Sequence, residues 1–255
     1  AVSGTPSILV TGGAGYIGSH AVLALMDAGW NVAVVDDLSN GSRSVVPEDV
    51  RFYQGSIAET VLVDSVLHEC KIGAIMHFAG SIVVPESVEN PLKYYANNTL
   101  ASLRLISDAV DAGVKHILFS STAAVYGAPE RVPITESDPK LPINPYGASK
   151  LMTERMLEDA SAAHGFNFGA LRYFNVAGAD PKGRTGQIGK GSTHLIKIAC
   201  EAAVGKRPHV AVYGNDYPTA DGTCIRDYIH VSDLAAAHVA ALGWLVAHPT
   251  DNLAM

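Results

Sequence analysis

The chain has 255 residues, 48% of them hydrophobic and 17% charged, which is enough to bury a large core in one α/β domain or two interlocked ones. Its net charge of -7 and its pI of about 5.8 argue against a nucleic-acid surface. The three cysteines, Cys70, Cys200 and Cys224, are too scattered for a disulfide framework or a CxxC metal site, so we expect a reducing, cytoplasmic environment.

The first predicted strand, near residues 7–10, runs into a glycine-rich turn. The segment ILVTGGAGYIGSH places Gly12, Gly15 and Gly18 between this strand and the start of a helix. Glycine lets the backbone approach a ligand closely, and the free N–H groups at a helix N-terminus attract a diphosphate. The spacing favours a phosphate-binding turn, although an ordinary strand-to-helix connection also produces it.

The second predicted strand, near residues 32–35, ends in an acidic residue. Asp36 follows Gly18 by eighteen positions, where a dinucleotide-binding fold places the carboxylate that accepts the adenosine ribose hydroxyls. Its negative charge would repel the extra phosphate of NADP. The segment after Asp36 also supplies no arginine to bind that phosphate until Arg43. The sequence therefore predicts NAD as the cofactor, with a solvated carboxylate at a strand end as the alternative interpretation.

Strand and helix patterns then alternate, which is typical of an α/β fold with a doubly wound parallel sheet. Further strands are predicted near residues 51–54, 74–77, 116–120 and 168–173. One helix is predicted over 91–112, with the apolar residues Leu92, Tyr95, Leu100, Leu103 and Leu105. Another is predicted over 145–163, with Asn144 as its N-cap and Pro145 at its first position.

The composition changes at Asn175, after which glycine, proline and charged residues become more frequent. Residues 178–191 are predicted to form a long loop, and a helix is predicted over 193–204. We therefore expect an NAD-binding Rossmann domain at residues 7–174 and a smaller, incomplete substrate domain at residues 175–255.

No segment has the pattern of a membrane span or a secretory signal. The most apolar helix, predicted over 235–246, is short and interrupted by His238 and Gly243. Residues 1–6 read as an uninformative leader without the basic and apolar regions of a signal peptide. We expect no membrane partner.

Tyr146 and Lys150 lie one turn apart on the helix that Asn144 caps, so both project from the same face. Half-ionising a tyrosine at neutral pH requires roughly 4 kcal/mol of phenolate stabilisation. An ammonium about 4 Å away supplies approximately that amount at an effective dielectric of about 20. Burial opposes ionisation, so the positive charge of an oxidised nicotinamide has to contribute. With Thr122 after the strand at 116–120, these residues predict an acid–base site, whereas ordinary helix-surface residues are the alternative.

Seven sequence blocks carry a resemblance that spans nearly the whole chain. They are, in order, TGGAGYIGSH, DDLSNG, HFAG, SSTAAVYG, NPYGASK, LRYFNVAGA and DYPTADGTCIRDYIHVSDLA. These blocks resemble the extended short-chain dehydrogenase/reductase superfamily and, within it, the family of UDP-glucose 4-epimerases (UDP-galactose 4-epimerases). The resemblance implies reversible 4-epimerisation of a UDP-hexose through a 4-keto sugar, with tightly bound NAD accepting and returning the hydride.

The resemblance also implies roles for individual residues. Tyr146 would take the proton of the sugar 4-hydroxyl, Thr122 would hydrogen-bond the reacting oxygen, and Lys150 would hold the nicotinamide ribose. The implied cofactor-binding residues are Gly12, Gly15, Tyr16, Ile17, Gly18, Asp36, Asp37, Leu38, Ser39, Asn40, Gly41, Ser56, Ile57, Phe78, Ala79, Gly80, Asn97, Thr122, Tyr146, Lys150 and Phe174. The implied UDP-sugar-binding residues are Ser81, Thr122, Tyr146, Asn175, His194, Leu195, Ala211, Val212, Tyr213 and Arg226.

Some residues depart from the resembled family or have a structural alternative. Ser56 stands where relatives commonly carry an aspartate, and Ile82 stands where some carry a lysine. His194 stands where an asparagine is common. Apolar members of the cofactor set are equally explained by core packing. Arg226, whose fork suits a phosphate, has a structural pairing with Asp227 or Asp233 as its alternative. His230 and His238 are interpreted as structural, and no metal site is predicted.

Other functions on the same scaffold are distinguishable to different degrees. A 4,6-dehydratase needs an acid and a base where Ala123 and Ala124 stand, so elimination is not supported. A UDP-pentose 4-epimerase uses the same machinery and stays open. A non-catalytic NAD-binding regulator predicts a degraded base pair, whereas Tyr146 and Lys150 are intact. The sequence contains neither the GxSxG nor the HExxH motif of hydrolases.

The resemblance has two consequences for the size of the protein. The helices at 91–112 and 145–163 are expected to form a four-helix interface in a homodimer, although core burial explains their apolar faces equally well. Family chains continue past the position of Met255, so this chain is expected to be incomplete. If the molecule itself lacks that tail, we expect bound NAD with little or no turnover.

Overall fold

A computed structural model describes residues 6–189 and 193–255, and its strands confirm the predicted doubly wound parallel sheet. The strands are β1 Ser7–Thr11, β2 Val32–Asp36, β3 Arg51–Gln54, β4 Ile72–His77, β5 His116–Ser120, β6 Asn167–Leu171, β7 Asn175–Ala177, β8 Tyr228–His230 and β9 Leu253–Ala254. Seven of them form one sheet in the order β3-β2-β1-β4-β5-β6-β9, and every recorded pair is parallel. The chain therefore reverses its winding direction between β1 and β4, where such folds bind ligands.

Helices cover both faces of this sheet. They are α1 Tyr16–Asp27, α2 Thr60–Glu69, α3 Val84–Glu89, α4 Pro91–Tyr94, α5 Ala101–Asp111, α6 Pro145–His164, α7 Leu195–Ala203 and α8 Val231–Ala247. Helices α1 and α8 pack on one face, and α2, α5 and α6 pack on the other. Because both faces are covered, the central strands are continuous apolar runs, and β5 is buried at every position.

The predicted helix over 91–112 is not one regular helix. After α4 the backbone forms a π-helical segment, Tyr95–Leu100, and only then continues as α5. The wider turn shifts the helical face, so Leu105 is buried in the core while Leu92, Leu100 and Leu103 are 77%, 47% and 48% exposed. The sequence leaves core burial and a dimer interface open for the apolar residues of this helix, and the exposure of these three leucines argues against core burial for them.

The C-terminal part of the chain is divided between two locations. Strands β7 and β8 form a separate parallel pair, whereas α8 packs against α1, and β9 extends the main sheet beside β6. The predicted helix over 193–204 is confirmed as α7, which has no buried residue. The domain division at residue 175 stays a prediction. The predicted leader and loop extend beyond the described residues at 1–5 and 190–192.

Candidate functional site

The glycine turn between β1 and α1 is shaped by close backbone contacts. Gly12 has φ +70°, and a Cβ placed on it would lie 2.7 Å from the backbone nitrogen of Ala79. A Cβ on Gly18 would lie 2.1 Å from the carbonyl oxygen of Gly12. No side chain caps α1 at Gly15, so its first-turn N–H groups remain directed toward the carboxyl edge of the sheet. A turn with this geometry fits the diphosphate of a dinucleotide.

The Asp36 carboxylate, at the end of β2, braces this turn. Its two oxygens accept hydrogen bonds from the backbone N–H groups of Ala14 (2.9 Å) and Leu38 (2.8 Å). Burial raises the pKa of Asp36, and these two N–H groups lower it. Each carboxylate oxygen keeps acceptor capacity for a ribose hydroxyl. Arg43 instead donates to the Val46 carbonyl (2.6 Å) and lies over the Phe52 ring, so its charge is already engaged.

A cavity of about 420 Å³ adjoins the loop after Asp36. It is lined by Leu38, Ser39, Asn40, Gly41, Ser42, Ile188 and Gly189. Four of these residues belong to the predicted cofactor set, whereas Ile188 and Gly189 come from the loop after β7 and were not predicted. The sequence gives no signal for them because their proximity depends on the tertiary fold.

That loop is held against α1 by several contacts. The Tyr16 hydroxyl donates to the Gly178 carbonyl (2.6 Å), and the hydroxyls of Ser19 and Thr185 are 2.9 Å apart. At the far end of the helix, the Arg184 guanidinium forms a fork with the carboxylate of Asp27 (3.0 Å to each oxygen). Tyr16 therefore has a structural contact in addition to its predicted role at the cofactor.

The segment after β4 is fixed by two asparagines of the π-helical segment. The Ser81 N–H donates to Asn98 Oδ1 (2.7 Å), and Asn98 Nδ2 donates to the Ser81 carbonyl (2.9 Å). The predicted residue Asn97 donates to the Ser81 hydroxyl (2.8 Å). Gly80 lies beside Asn98 and Lys150, because a Cβ on it would be 3.0 Å from Asn98 Oδ1 and 3.8 Å from Lys150 Nζ. Asn98 was not predicted, and the sequence gives no signal for it, because its contacts with Ser81 depend on how the two segments pack.

Thr122, Tyr146 and Lys150 meet at the carboxyl end of β5. Burial raises the pKa of the Tyr146 phenol, and the neighbouring Thr122 hydroxyl lowers it by less. The Lys150 ammonium donates to the Ser120 carbonyl (3.1 Å) and lies 4.9 Å from the centre of the Phe119 ring. Burial lowers the pKa of Lys150 to about 8. In the protein alone, Tyr146 is therefore a neutral phenol. This agrees with the prediction that ionising Tyr146 needs the additional positive charge of an oxidised nicotinamide.

A group of aromatic side chains adjoins Ser120, whose carbonyl accepts from Lys150. The hydroxyls of Tyr173 and Ser120 are hydrogen-bonded, and burial raises the pKa of Tyr173. The His238 ring lies 4.9 Å from that of Phe78 and 6.0 Å from that of Tyr173. Burial lowers the pKa of His238 to about 4, so the ring is neutral, and its Nδ1 contacts the Leu234 carbonyl.

The remaining members of the predicted cofactor set have local partners or partial exposure. Asp37 accepts from the Ser39 N–H (2.9 Å), and the Ser56 N–H donates to Glu59 (2.8 Å). Ile57 is buried in the core, whereas Phe174 is 49% exposed. Among the described residues, no group of three His, Cys, Asp or Glu side chains is placed to hold a metal ion.

The predicted UDP-sugar residues lie mainly on an exposed part of the chain. Asn175 is tied to the Asp227 carbonyl through its side-chain amide (3.1 Å). Leu195 is 54% exposed at the start of α7, and His194, its N-cap, contacts Gln187. Ala211, Val212 and Tyr213 are exposed and lie in no helix or strand.

Arg226 is exposed and donates to the Ile225 carbonyl (2.8 Å). Within the described ranges it forms no ion pair with Asp227 or Asp233, so its structural alternative is not supported. His230 accepts from the Ser232 N–H (3.1 Å) and so caps α8. No helix in the described part of the chain is long and apolar enough to cross a membrane.

The fold, the glycine turn and the acid–base residues define a member of a dinucleotide-dependent enzyme class, and the comparisons identify the family. The profile described as "NAD dependent epimerase/dehydratase family" matches residues 8–252. The chain therefore belongs to this family.

The most informative relatives are called UDP-glucose 4-epimerase. The Azospirillum brasilense protein is 62% identical over 238 residues, which cover 93% of this chain and 68% of that protein. The Lacticaseibacillus casei protein is 50% identical, with 94% and 73% covered. The Brucella ovis UDP-glucose 4-epimerase in complex with NAD has a TM-score of 0.94 at 43% identity, with 98% of this chain and 77% of that chain covered. The Bifidobacterium longum enzyme in complex with NAD+ and UDP has a TM-score of 0.91 at 40% identity, with 97% and 76% covered.

Proposed function

We propose that this chain is an NAD-dependent nucleotide-sugar epimerase that interconverts UDP-glucose and UDP-galactose by inverting carbon 4. The observation that supports it most is the meeting of Thr122, Tyr146 and Lys150 beside a glycine turn and the Asp36 carboxylate. The Azospirillum brasilense relative, which is 62% identical, is named for this reaction. The comparisons favour the hexose reaction over the UDP-pentose reaction and over a non-catalytic regulator.

The glycine turn, Asp36 and the segment after β4 would hold NAD, which when bound would supply a reversible hydride acceptor. Tyr146 takes the proton of the sugar 4-hydroxyl and later returns it, and Thr122 hydrogen-bonds the reacting oxygen. Lys150 lies close to the site as a cation and lowers the free energy needed to ionise the Tyr146 phenol. Because Tyr146 is neutral in the protein alone, the positive charge at the cofactor site makes the base strongest when a hydride can be accepted.

The nucleotide-sugar side is proposed to lie in the region 175–255, with Asn175 and Leu195 near the diphosphate and residues 211–213 near the uracil. Arg226 is proposed to bind a phosphate, since its guanidinium is exposed and forms no recorded ion pair in the described chain. The cytoplasmic location stays a prediction based on the scattered cysteines.

The decisive experiment is conversion of UDP-galactose to UDP-glucose without added NAD, in the parent and in Tyr146→Phe. We expect turnover in the parent and a loss of at least 100-fold in the variant, which keeps the ring but has no proton to exchange. Dinucleotide should be released from both proteins on denaturation. Tyr53→Phe, outside the site, is the matched control and should keep parental activity. Full activity of Tyr146→Phe would remove this residue from its role.

We also propose a homodimer through the helices at 91–112 and 145–163, which are α4, the π-helical segment, α5 and α6. Leu92, Leu100, Leu103 and Met152 (45%) are exposed on these elements, and Val88 (63%) is exposed on the preceding α3. Exposed apolar side chains that lie close together mark a protein interface. Light scattering should give twice the chain mass for the parent and one chain mass for Leu100→Lys/Leu103→Lys. A monomeric parent at micromolar concentration would contradict this proposal.

A further inference from the structure

A buried ion pair lies directly behind the acid–base residues and has no part in the mechanism described so far. The Arg172 guanidinium, which follows β6, forms a fork with the Glu154 carboxylate, with distances of 2.9 Å (Nε to Oε1) and 2.7 Å (Nη2 to Oε2). Their side chains are only 4% and 8% exposed. Glu154 lies one helical turn beyond Lys150, so the pair joins the helix of Tyr146 and Lys150 to the end of β6.

The same two side chains hold both ends of the turn that contains Thr122. The Ser121 hydroxyl donates to Glu154 Oε1, immediately before Thr122. At the other end, Arg172 Nη1 donates to the Tyr126 hydroxyl (2.7 Å). Between these points the backbone forms a short 3₁₀ turn, Ala123–Tyr126, which Thr122 caps by accepting the Ala124 N–H (3.1 Å). Thr122 therefore sits in a segment that is fixed on both sides.

We propose that Glu154 and Arg172 are positioning residues that fix Thr122 against Tyr146, acting through Ser121 and Tyr126. This inference rests on the proposed function, because it assigns Thr122 and Tyr146 to the reacting oxygen. A guanidinium–carboxylate fork is planar and directional, so it fixes the helix and the turn in one relative orientation. A buried ion pair adds little net stability over apolar packing, and a requirement for orientation accounts for its presence at this point.

The obvious variant, Glu154→Gln, leaves a buried arginine charge uncompensated and is expected to impair folding, so the test depends on two hydroxyl deletions that keep the ion pair. Ser121→Ala and Tyr126→Phe each remove one tether of the turn. We expect each to lower kcat by about ten-fold and the double variant by about 100-fold, since small misplacements of reacting groups cost up to that much. KM for UDP-galactose and the content of bound NAD should stay within two-fold of the parent.

A double-mutant cycle with Thr122→Ala separates positioning from general weakening. If the tethers act through Thr122, adding Ser121→Ala or Tyr126→Phe to Thr122→Ala should lower kcat no further. Val66→Ala, in the buried part of α2, is the stability control and should leave kcat unchanged. Parental kcat in both hydroxyl deletions, or losses that multiply with that of Thr122→Ala, would overturn the inference. For a parent protein that contains the C-terminal region expected of the family, a lack of activity would instead count against the proposed function.

Discussion

The central sheet with its helices and the segment at residues 195–230 differ sharply in how the chain holds them. In the first region, residues such as Leu9, Leu25 and Val35 are fully buried. In the second region α7 buries no residue, and Tyr213 is 99% exposed. Few internal contacts mean a low local free energy of opening. The fold itself therefore holds the predicted cofactor side of the site, whereas the segment proposed for the nucleotide sugar has few buried residues in the described chain.

The largest expected effect contrasts two leucines, one in each region. Leu25→Ala empties part of a fully buried site in α1 and should lower the free energy of unfolding by about 2–5 kcal/mol. Leu195→Ala, at a 54% exposed position in α7, should change it by less than about 0.5 kcal/mol. Urea denaturation measures both. Equal losses would show that the second region is packed as firmly as the first and would remove the contrast.

The next effect concerns two glycines that differ in their surroundings. Gly18→Ala places a Cβ against the Gly12 carbonyl, so the turn has to open; we expect a loss of about 1–3 kcal/mol and of most bound NAD. Gly243→Ala, in α8, meets no atom within 4 Å and should stabilise the protein by up to about 1 kcal/mol. NAD content and urea midpoints give the result. Unchanged NAD content in Gly18→Ala would contradict the assignment of the turn to the diphosphate.

A smaller effect tests the electrostatics of the buried Lys150 ammonium. Lys150 has a folded-state pKa of about 8, below its ordinary value of 10.5, because burial penalises its charge. Between these two values the unfolded chain binds more protons than the folded one, so the stability of the parent rises with pH. From pH 8 to 9.5 the rise should be about 2 kcal/mol relative to Lys150→Met. A pH-independent difference between the two proteins would show that Lys150 is not desolvated.

The sequence predicts those features whose cause is local. The apolar runs of the central strands, the spacing from Gly18 to Asp36 and the helical spacing of Tyr146 and Lys150 each follow from periodicity or turn chemistry. The structure then brings Thr122 and Tyr146 together, as the position of Thr122 after β5 predicts. Their roles in the reaction stay predictions.

The sequence did not predict the features that depend on tertiary contacts. No local pattern predicts that Glu154 and Arg172, which are 18 residues apart in the chain, form an ion pair. Nor does one predict that Ile188 lines a cavity with Leu38. The π-helical segment was missed as well, because a wide turn leaves the composition of a helix unchanged. These features depend on how elements dock, which a single sequence encodes only through the whole fold.

The position of Asp36 has a consequence for redesigning cofactor preference. Its carboxylate is both the group predicted to disfavour a 2′-phosphate and the acceptor of the N–H groups of Ala14 and Leu38. Replacing it with a small apolar residue would remove the charge and also leave two backbone donors without their acceptor. Asparagine keeps one oxygen acceptor while removing the charge. Engineering toward NADP should therefore begin from Asp36→Asn and add a cation elsewhere in the loop at residues 37–42.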